Sequence, residues 1–402
     1  MFKPNNIIAG LDIGTGFIKI LVASKNEDAT GFEVVAQFKE PSFGVRRGVV
    51  IDINKVTRII QILLNKVREQ TGQKIESVFV NIGGCHLFCS TSKGMVAVSR
   101  ADQRISELDV NRVIESARTV SLPSNNEILE VFPREFIVDN ERGIKEVIGM
   151  QGGRVEVEAL ILAAFSPYVN NLTQAVLNSD IRILDIVPSV TATSLAVLSP
   201  KQKELGVALL DIGAGTSELA VFEEGELIHL AIFPMGSSNI TNDIAIGLKI
   251  DIDTAEIIKT ERGTCFCKGS EKKEKIEVEG ESPVVFSQKM LAKIIGARVS
   301  EIFGEVQKEL KKISRDGLLP AGMVLSGGGA KMPGIVELAK KELKLPCRIG
   351  KPLDFLNLDD DLSFASACGL IVKGEDLGSI DRRPSVSNFG ERVKKFLKIF
   401  IP

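Results

Sequence analysis

The sequence predicts a two-lobed α/β protein with a duplicated core, and three observations carry that prediction. One strand-turn-strand motif occurs twice, about half the chain apart. A third glycine cluster joins an apolar strand to an amphipathic helix. The 402 residues, 44% hydrophobic and 25% charged, suffice for two domains with sizeable cores and have the balance of a soluble globular protein.

The first copy lies in LDIGTGFIKILVA, residues 11 to 23, where an apolar run admits Asp12, turns through Gly-Thr-Gly and resumes. The second is GVALLDIGAGTSELAVFEEGELIHLAIF, residues 206 to 233, with the same order of strand, Asp, small-residue turn, strand, polar turn and strand. Two copies imply two similar domains facing one another. Glycine has no Cβ and accepts positive φ, so such a turn can aim several backbone N–H groups at one anion, for which a phosphate is the natural guest. Asp12 and Asp211, at the strand ends, are then acceptors for a hydrated Mg²⁺ that neutralises it.

The third cluster, MVLSGGGAKMPGIVELAKKEL at 323 to 343, reads as a strand, a glycine loop able to lie against a nucleotide, and a helix with Pro333 near its first turn. It lacks the Lys-Ser/Thr ending of a P-loop. Met332 is a candidate cover for an adenine face. Before it, TAEIIKTERG sets Glu256 and Lys259 on one helical face, either as a surface ion pair or as two ribose contacts.

Other features exclude classes of function. Fifty basic against fifty-two acidic residues leave a net charge of -2, so no global field draws the chain to nucleic acid. No run reaches the roughly 18 uncharged apolar residues that a spanning helix needs, and the opening MFKPNNIIAGLDIG carries no export pattern. The spacings of CHLFC and CFC are not those of a common zinc site, and the six cysteines read as reduced thiols. His86 and His229, the two histidines, have no neighbouring Ser or Cys pattern suggesting nucleophilic catalysis. EKKEKIEVEGES at 271 to 282 reads as a solvated loop or edge strand, and 286 to 313 as one long amphipathic helix.

DIGTG, DIGAGT and SGGGA in this order, with AExxK between the last two, resemble the phosphate-1, phosphate-2 and adenosine motifs of the actin, sugar kinase and heat-shock chaperone superfamily. Within it the chain resembles the bacterial FtsA family over essentially its whole length. The most specific stretch, EVFPREFIVDNERGIKEVIGMQGGRVEVEALILAAF at 130 to 165, is similar to the subdomain 1C that distinguishes FtsA. The resemblance implies an actin-like two-lobed ATPase fold binding ATP and Mg²⁺. Subdomain 1A is expected at 1–83 and 166–204, 1C at 84–165, 2A at 205–246 and 321–362, and 2B at 247–320, followed by a final body helix at 363–374. It assigns Gly14, Thr15, Gly16 and Lys19 to the first phosphate loop and Gly213, Ala214, Gly215 and Thr216 to the second. Gly327, Gly328, Gly329 and Met332 fall to the adenosine loop, Glu256 and Lys259 to the ribose, and Asp12 and Asp211 to Mg²⁺ through water. No catalytic residue is assigned. Many superfamily ATPases hold a Glu or Gln in a connecting segment to position the attacking water, and here Ser189 stands at that point, so weak or absent hydrolysis is expected.

After residues 375–388, a polar, turn-rich linker, comes NFGERVKKFLKIFIP. On a helix, Phe389, Val393, Phe396, Leu397 and Phe400 form one apolar face, while Arg392, Lys394, Lys395 and Lys398 lie mostly on the other. About twelve residues at about 1.5 Å each are too short to cross a bilayer, so residues 389–402 are expected to lie in an anionic membrane surface. FtsA proteins end in the same way. The resemblance further implies head-to-tail self-assembly on the inner face of the cytoplasmic membrane at the septum. There the protein would tether FtsZ through the FtsZ C-terminal tail, bound by subdomain 2B, and recruit later division proteins. Two rival readings are a pilus-assembly platform of the PilM type and a small-molecule kinase of the same superfamily.

Overall fold

A computed structural model describes residues 7–25, 31–119, 123–267, 273–276, 284–359 and 361–378. Two sheets share one topology. In the first, strand Ile7–Ile13 runs antiparallel to Phe17–Lys25, which pairs with Phe32–Pro41, and on its other side parallel to Ser77–Ile82, beyond which lies Arg182–Pro188. In the second, Val207–Ile212 runs antiparallel to Ser217–Glu223, which pairs with Glu226–Phe233, and on its other side parallel to Met323–Ser326, followed by Cys347–Ile349. The repeat seen in the sequence is therefore a repeat of whole sheets.

The opening strands of both sheets are near-continuous apolar runs because both of their faces are covered. Leu11, Ile20 and Val80 of the first sheet pack with Ile60 and Leu63 of helix Ile53–Thr71. That helix buries Val56, Ile59, Ile60, Leu63 and Val67 at helical spacing; Asp52 accepts from the Lys55 N–H at its start, and Gly72 ends it in the left-handed region. The second lobe builds its own core around helix Gln288–Lys312, whose Leu291, Ile295, Val299, Phe303, Val306 and Leu310 are buried.

A third unit is inserted between Ile82 and Ser166: strands Leu87–Ala97, Arg154–Phe165, Asn126–Val138 and Glu141–Ile144 form one sheet, against which helix Glu107–Arg118 packs. Lys145 of this unit pairs with Glu224 of the second lobe at 3.1 Å. The chain crosses between lobes through helix Ser189–Val197. It returns through strand Phe355–Leu356, which joins the first sheet, and helix Ala365–Gly378.

Pro333 lies near the first turn of a helix, just outside it: the glycine cluster winds a 3-10 turn over Gly328–Lys331, and helix Ile335–Leu343 starts after Gly334, which caps it with a φ of 81°. Other boundaries differ from expectation. The long amphipathic run starts at Gln288 rather than 286, because Val284–Ser287 pairs as a strand with Lys273–Ile276 and Ser287 then caps the helix. The last helix runs to Gly378, four residues into the stretch expected to be linker, since EDLG holds no Pro to stop it earlier. The remainder of that stretch and the amphipathic segment 389–402 lie outside the described residues.

Candidate functional site

Both glycine turns open onto one cleft of about 480 Å³ between the lobes. Asp12, Gly14, Thr15, Gly16 and Lys19 line it from the first lobe. Asp211, Gly213, Ala214, Gly215, Thr216, Glu256, Lys259, Gly327, Gly328, Gly329 and Met332 line it from the second, so every residue expected at a nucleotide site faces the same space.

The turns are closed alike: the Gly14 N–H donates to the Phe17 carbonyl at 3.1 Å, and that of Gly213 to Thr216 at 2.9 Å. Their tips meet. A Cβ placed on Gly215 would stand 2.9 Å from the Thr15 side chain, and one on Gly16 would stand 2.9 Å from the Cβ of Ala214. Close approach, more than backbone freedom, is what makes these positions glycine. The second turn is braced from behind, since Ser237 and Ser238 at the start of helix Ser237–Leu248 each donate a backbone N–H to it, to Gly213 and Ala214 at 2.9 Å.

The two aspartates occupy equivalent places with different partners. Lys19, directly across the strand pair from Asp12, donates to it at 2.6 Å, and Asn81 on strand Ser77–Ile82 does the same at 2.6 Å. Asn81 also accepts from the Ile13 N–H at 2.7 Å and donates to Ser189 Oγ at 3.0 Å. Across from Asp211, where a lysine would match, stands Glu218. Asp211 receives the Thr193 hydroxyl at 2.8 Å. Burial pushes Asp211 up to about 6 against that hydrogen bond, with the nearby Asp12 adding to the rise.

Glu218 is the functional candidate that sequence reasoning missed. It is buried and lines the cleft floor. Burial first, and then the charge of Asp211, push it up to about 8, although backbone N–H groups of Gly84 and Val190 donate to it. Its Oε2 finds no hydrogen-bond donor among the described residues. The available signal was positional: laying the two repeats over one another puts Glu218 on Lys19. Ser189 begins the crossing helix and also lines the cleft.

On the far side, Lys259 is buried, with its side chain 7% exposed, and pairs with the more exposed Glu256 at the cleft wall. It donates to Glu256 at 2.6 Å and to the Thr241 hydroxyl at 2.8 Å, and Thr241 in turn donates to Glu256 at 2.6 Å. The glycine loop sits against Asp211: Gly327 has a φ of 82°, and a Cβ there would lie 2.2 Å from an Asp211 carboxylate oxygen. Outside the cleft, His229 pairs with Glu309 at 3.0 Å, and His86 meets the Tyr168 ring edge-on. The cysteines are all free thiols.

Comparison with known proteins places this geometry. The fold is similar to a chain of a PilM-PilN type IV pilus biogenesis complex (TM-score 0.67, 16% identity, covering 92% of this chain and 99% of that one). It is also similar to MreB5 of Spiroplasma citri bound to ADP (0.58, 13%, 94% and 98%). The fold is thus an actin-like one, two lobes of common topology about a cleft. In sequence, a family model for cell division protein FtsA matches residues 208–369, and one for the SHS2 domain inserted in FtsA matches 84–163. The FtsA proteins of Neisseria meningitidis serogroup B (34% identity, 99% of each chain) and Pseudomonas aeruginosa (33%, 96% of this chain and 93% of the relative) align along nearly the full length. The chain belongs to the FtsA family of actin-like cell-division proteins.

Proposed function

We propose that the cleft binds ATP with Mg²⁺, and that the bound nucleotide controls head-to-tail assembly of a membrane-attached division protein. The observation that supports the nucleotide reading best is the meeting of the two glycine turns, with no space for a side chain between them, above two opposed aspartates. With Gly14 and Gly213 closing the turns, we assign the backbone N–H groups of Thr15, Gly16, Ala214 and Gly215 to the phosphates, and the Thr216 hydroxyl beside them. Lys259, held in place by Glu256 and Thr241, and Glu256 itself take the ribose; Gly327, Gly328, Gly329 and Met332 take the adenine.

The residues present fit Mg²⁺. It is bound through few protein carboxylates and several waters, and the two strand-end aspartates of the cleft offer two, one of them pushed up to about 6 by burial and by the neighbouring aspartate. Asp12 and Asp211 would hold it through water, and it would supply charge neutralisation at the phosphates. Lys19 and Asn81 fix the Asp12 carboxylate, and Thr193 fixes that of Asp211. Ser189, whose hydroxyl accepts from Asn81, is a weak base, in keeping with weak or absent hydrolysis and with binding as the event that drives assembly.

Family membership supports the rest. We assign subdomain 1A to 1–83 and 166–204, 1C to 84–165, 2A to 205–246 and 321–362, and 2B to 247–320, where the FtsZ C-terminal tail docks. Residues 389–402 attach the protein to anionic lipid on the cytoplasmic face at the septum, with Phe389, Val393, Phe396, Leu397 and Phe400 buried and Arg392, Lys394, Lys395 and Lys398 facing the headgroups. From there it tethers the FtsZ ring and recruits later division proteins.

Two measurements test this. Gly215→Asp forces a side chain and a negative charge against Thr15; calorimetry should find ATP affinity at least about 100-fold weaker, and an unchanged affinity removes the phosphate assignment. Deleting 389–402 should abolish sedimentation with anionic liposomes, and equal sedimentation of the two forms removes the anchor.

A further inference from the structure

At the edge of the cleft one carboxylate is shared by two lysines that come from different lobes. Asp361, near the end of the stretch assigned to subdomain 2A, is nevertheless held on the first lobe: it follows strand Phe355–Leu356, which joins that lobe's sheet, and caps the 3-10 turn Leu362–Phe364 by accepting from the Ser363 N–H at 2.9 Å. Lys39, on strand Phe32–Pro41 of the same sheet, donates to Asp361 at 2.8 Å and lies over the Phe17 ring at 5.5 Å. Lys331 ends the second lobe's turn Gly328–Lys331 and forms an ion pair with the other oxygen of Asp361. The two turns pack on each other, and Lys39, Lys331, Leu362 and Ser363 all line the cleft.

The three side chains are unequally exposed: Asp361 is 14% exposed, against 44% for Lys39 and 46% for Lys331. A half-buried carboxylate with two more exposed cations is a fixed acceptor with mobile donors. Burial alone would raise the acid; Lys331 and then Lys39 instead hold it well below the usual carboxylate range, so it stays ionised at neutral pH. Separating the lobes at this edge must part Lys331 from Asp361, while Lys39, on the sheet that strand Phe355–Leu356 joins just ahead of Asp361, moves with it.

We propose that Lys331, Asp361 and Lys39 form an ionic latch between the lobes at the edge of the cleft, and that breaking the Lys331–Asp361 pair is a step in nucleotide release. The latch rests on the proposal that this cleft binds nucleotide. Lys331 is the moving half, Asp361 the catch, and Lys39 keeps the catch aimed. Latch strength is limited by the exposure of the lysines, so its loss should speed release by about three- to fivefold rather than abolish binding.

The test uses the full-length protein with Mg²⁺ and a fluorescent ATP analogue, whose release is followed by stopped flow in Lys331→Met, Asp361→Asn and Lys331→Arg. The asparagine retains a side-chain oxygen to cap the 3-10 turn. Lys331→Met and Asp361→Asn should both release about three- to fivefold faster, with release in the parent protein quickening as salt is added and Lys331→Arg behaving as the parent. If Lys331 instead touched nucleotide directly, Asp361→Asn would free it and slow release, which would overturn the latch, as would wild-type release by Lys331→Met. A second readout needs no nucleotide: spin labels on the two lobes should report a wider distance distribution in ligand-free Lys331→Met. An unchanged distribution contradicts the latch. Failure of the parent protein to bind the analogue at all would fall on the nucleotide reading instead, and the label distances would still decide the latch.

Discussion

The two halves of the cleft carry the same motif with opposite charge design. In the first lobe, Asp12 faces Lys19 across the strand pair and is further held by Asn81. In the second, Asp211 faces Glu218 at the equivalent register, and Thr193 is its hydrogen-bond donor. One jaw arrives with its cation built in. The other holds two acids, half-buried Asp211 and buried Glu218, whose ordinary ionised form desolvation disfavours, Asp211 at about 6 and Glu218 at about 8. A duplicated fold has thereby become an asymmetric site, and if the proposed Mg²⁺ arrives with the nucleotide the second jaw gains most from it.

The largest expected effect comes from breaking the self-sufficient jaw. Lys19→Met leaves Asp12 buried beside Asn81 without its cation; removal of one partner of a buried pair costs about 3–5 kcal/mol, read as a lower denaturation midpoint in the nucleotide-free protein. The opposite jaw should respond with the opposite sign. Asp211 has a folded value raised above its unfolded one, so its contribution to stability is greatest at low pH, falls as pH rises from about 4 to about 6, and leaves a constant penalty above that. Asp211→Asn removes the penalty, and the nucleotide-free variant should melt higher than the parent at pH 7.5 by a few degrees; a lower melting temperature would break the comparison.

A smaller effect sharpens it at a site away from the cleft. Glu226, also in the second lobe, is pushed up to about 7 by burial and by Glu204, against the attraction of Lys145 from the inserted unit. The folded form holds a proton that the unfolded form has lost, so stability from this group drains away as pH rises from about 4.5 through about 7. Glu226→Gln should flatten that part of the melting profile while leaving nucleotide affinity unchanged.

The sequence disclosed the duplication because both strand-turn-strand copies are contiguous and their Asp and Gly residues have few other uses. The shared sheet topology, the converging loops and the FtsA family assignment all follow from stretches that can be read locally. Asn81 was not legible: it sits in VFVNIGG, far along the chain from the Asp12 it orients, and a lone Asn at a strand end has many ordinary roles. Glu218 was hidden for another reason, since a single acid in the strand SELAVF belongs to no motif, and its place beside Asp211 shows only when the repeats are overlaid or the strands paired. The Lys331–Asp361–Lys39 cluster unites three distant segments, none of which forms a motif.

The central claim, that the second jaw relies on a cation brought with the nucleotide, is tested most directly by the Mg²⁺ dependence of ATP affinity in the parent protein and in Asp211→Asn. The account predicts that Mg²⁺ tightens ATP binding strongly in the parent and much less in Asp211→Asn. Equal tightening of the two by Mg²⁺ would contradict it.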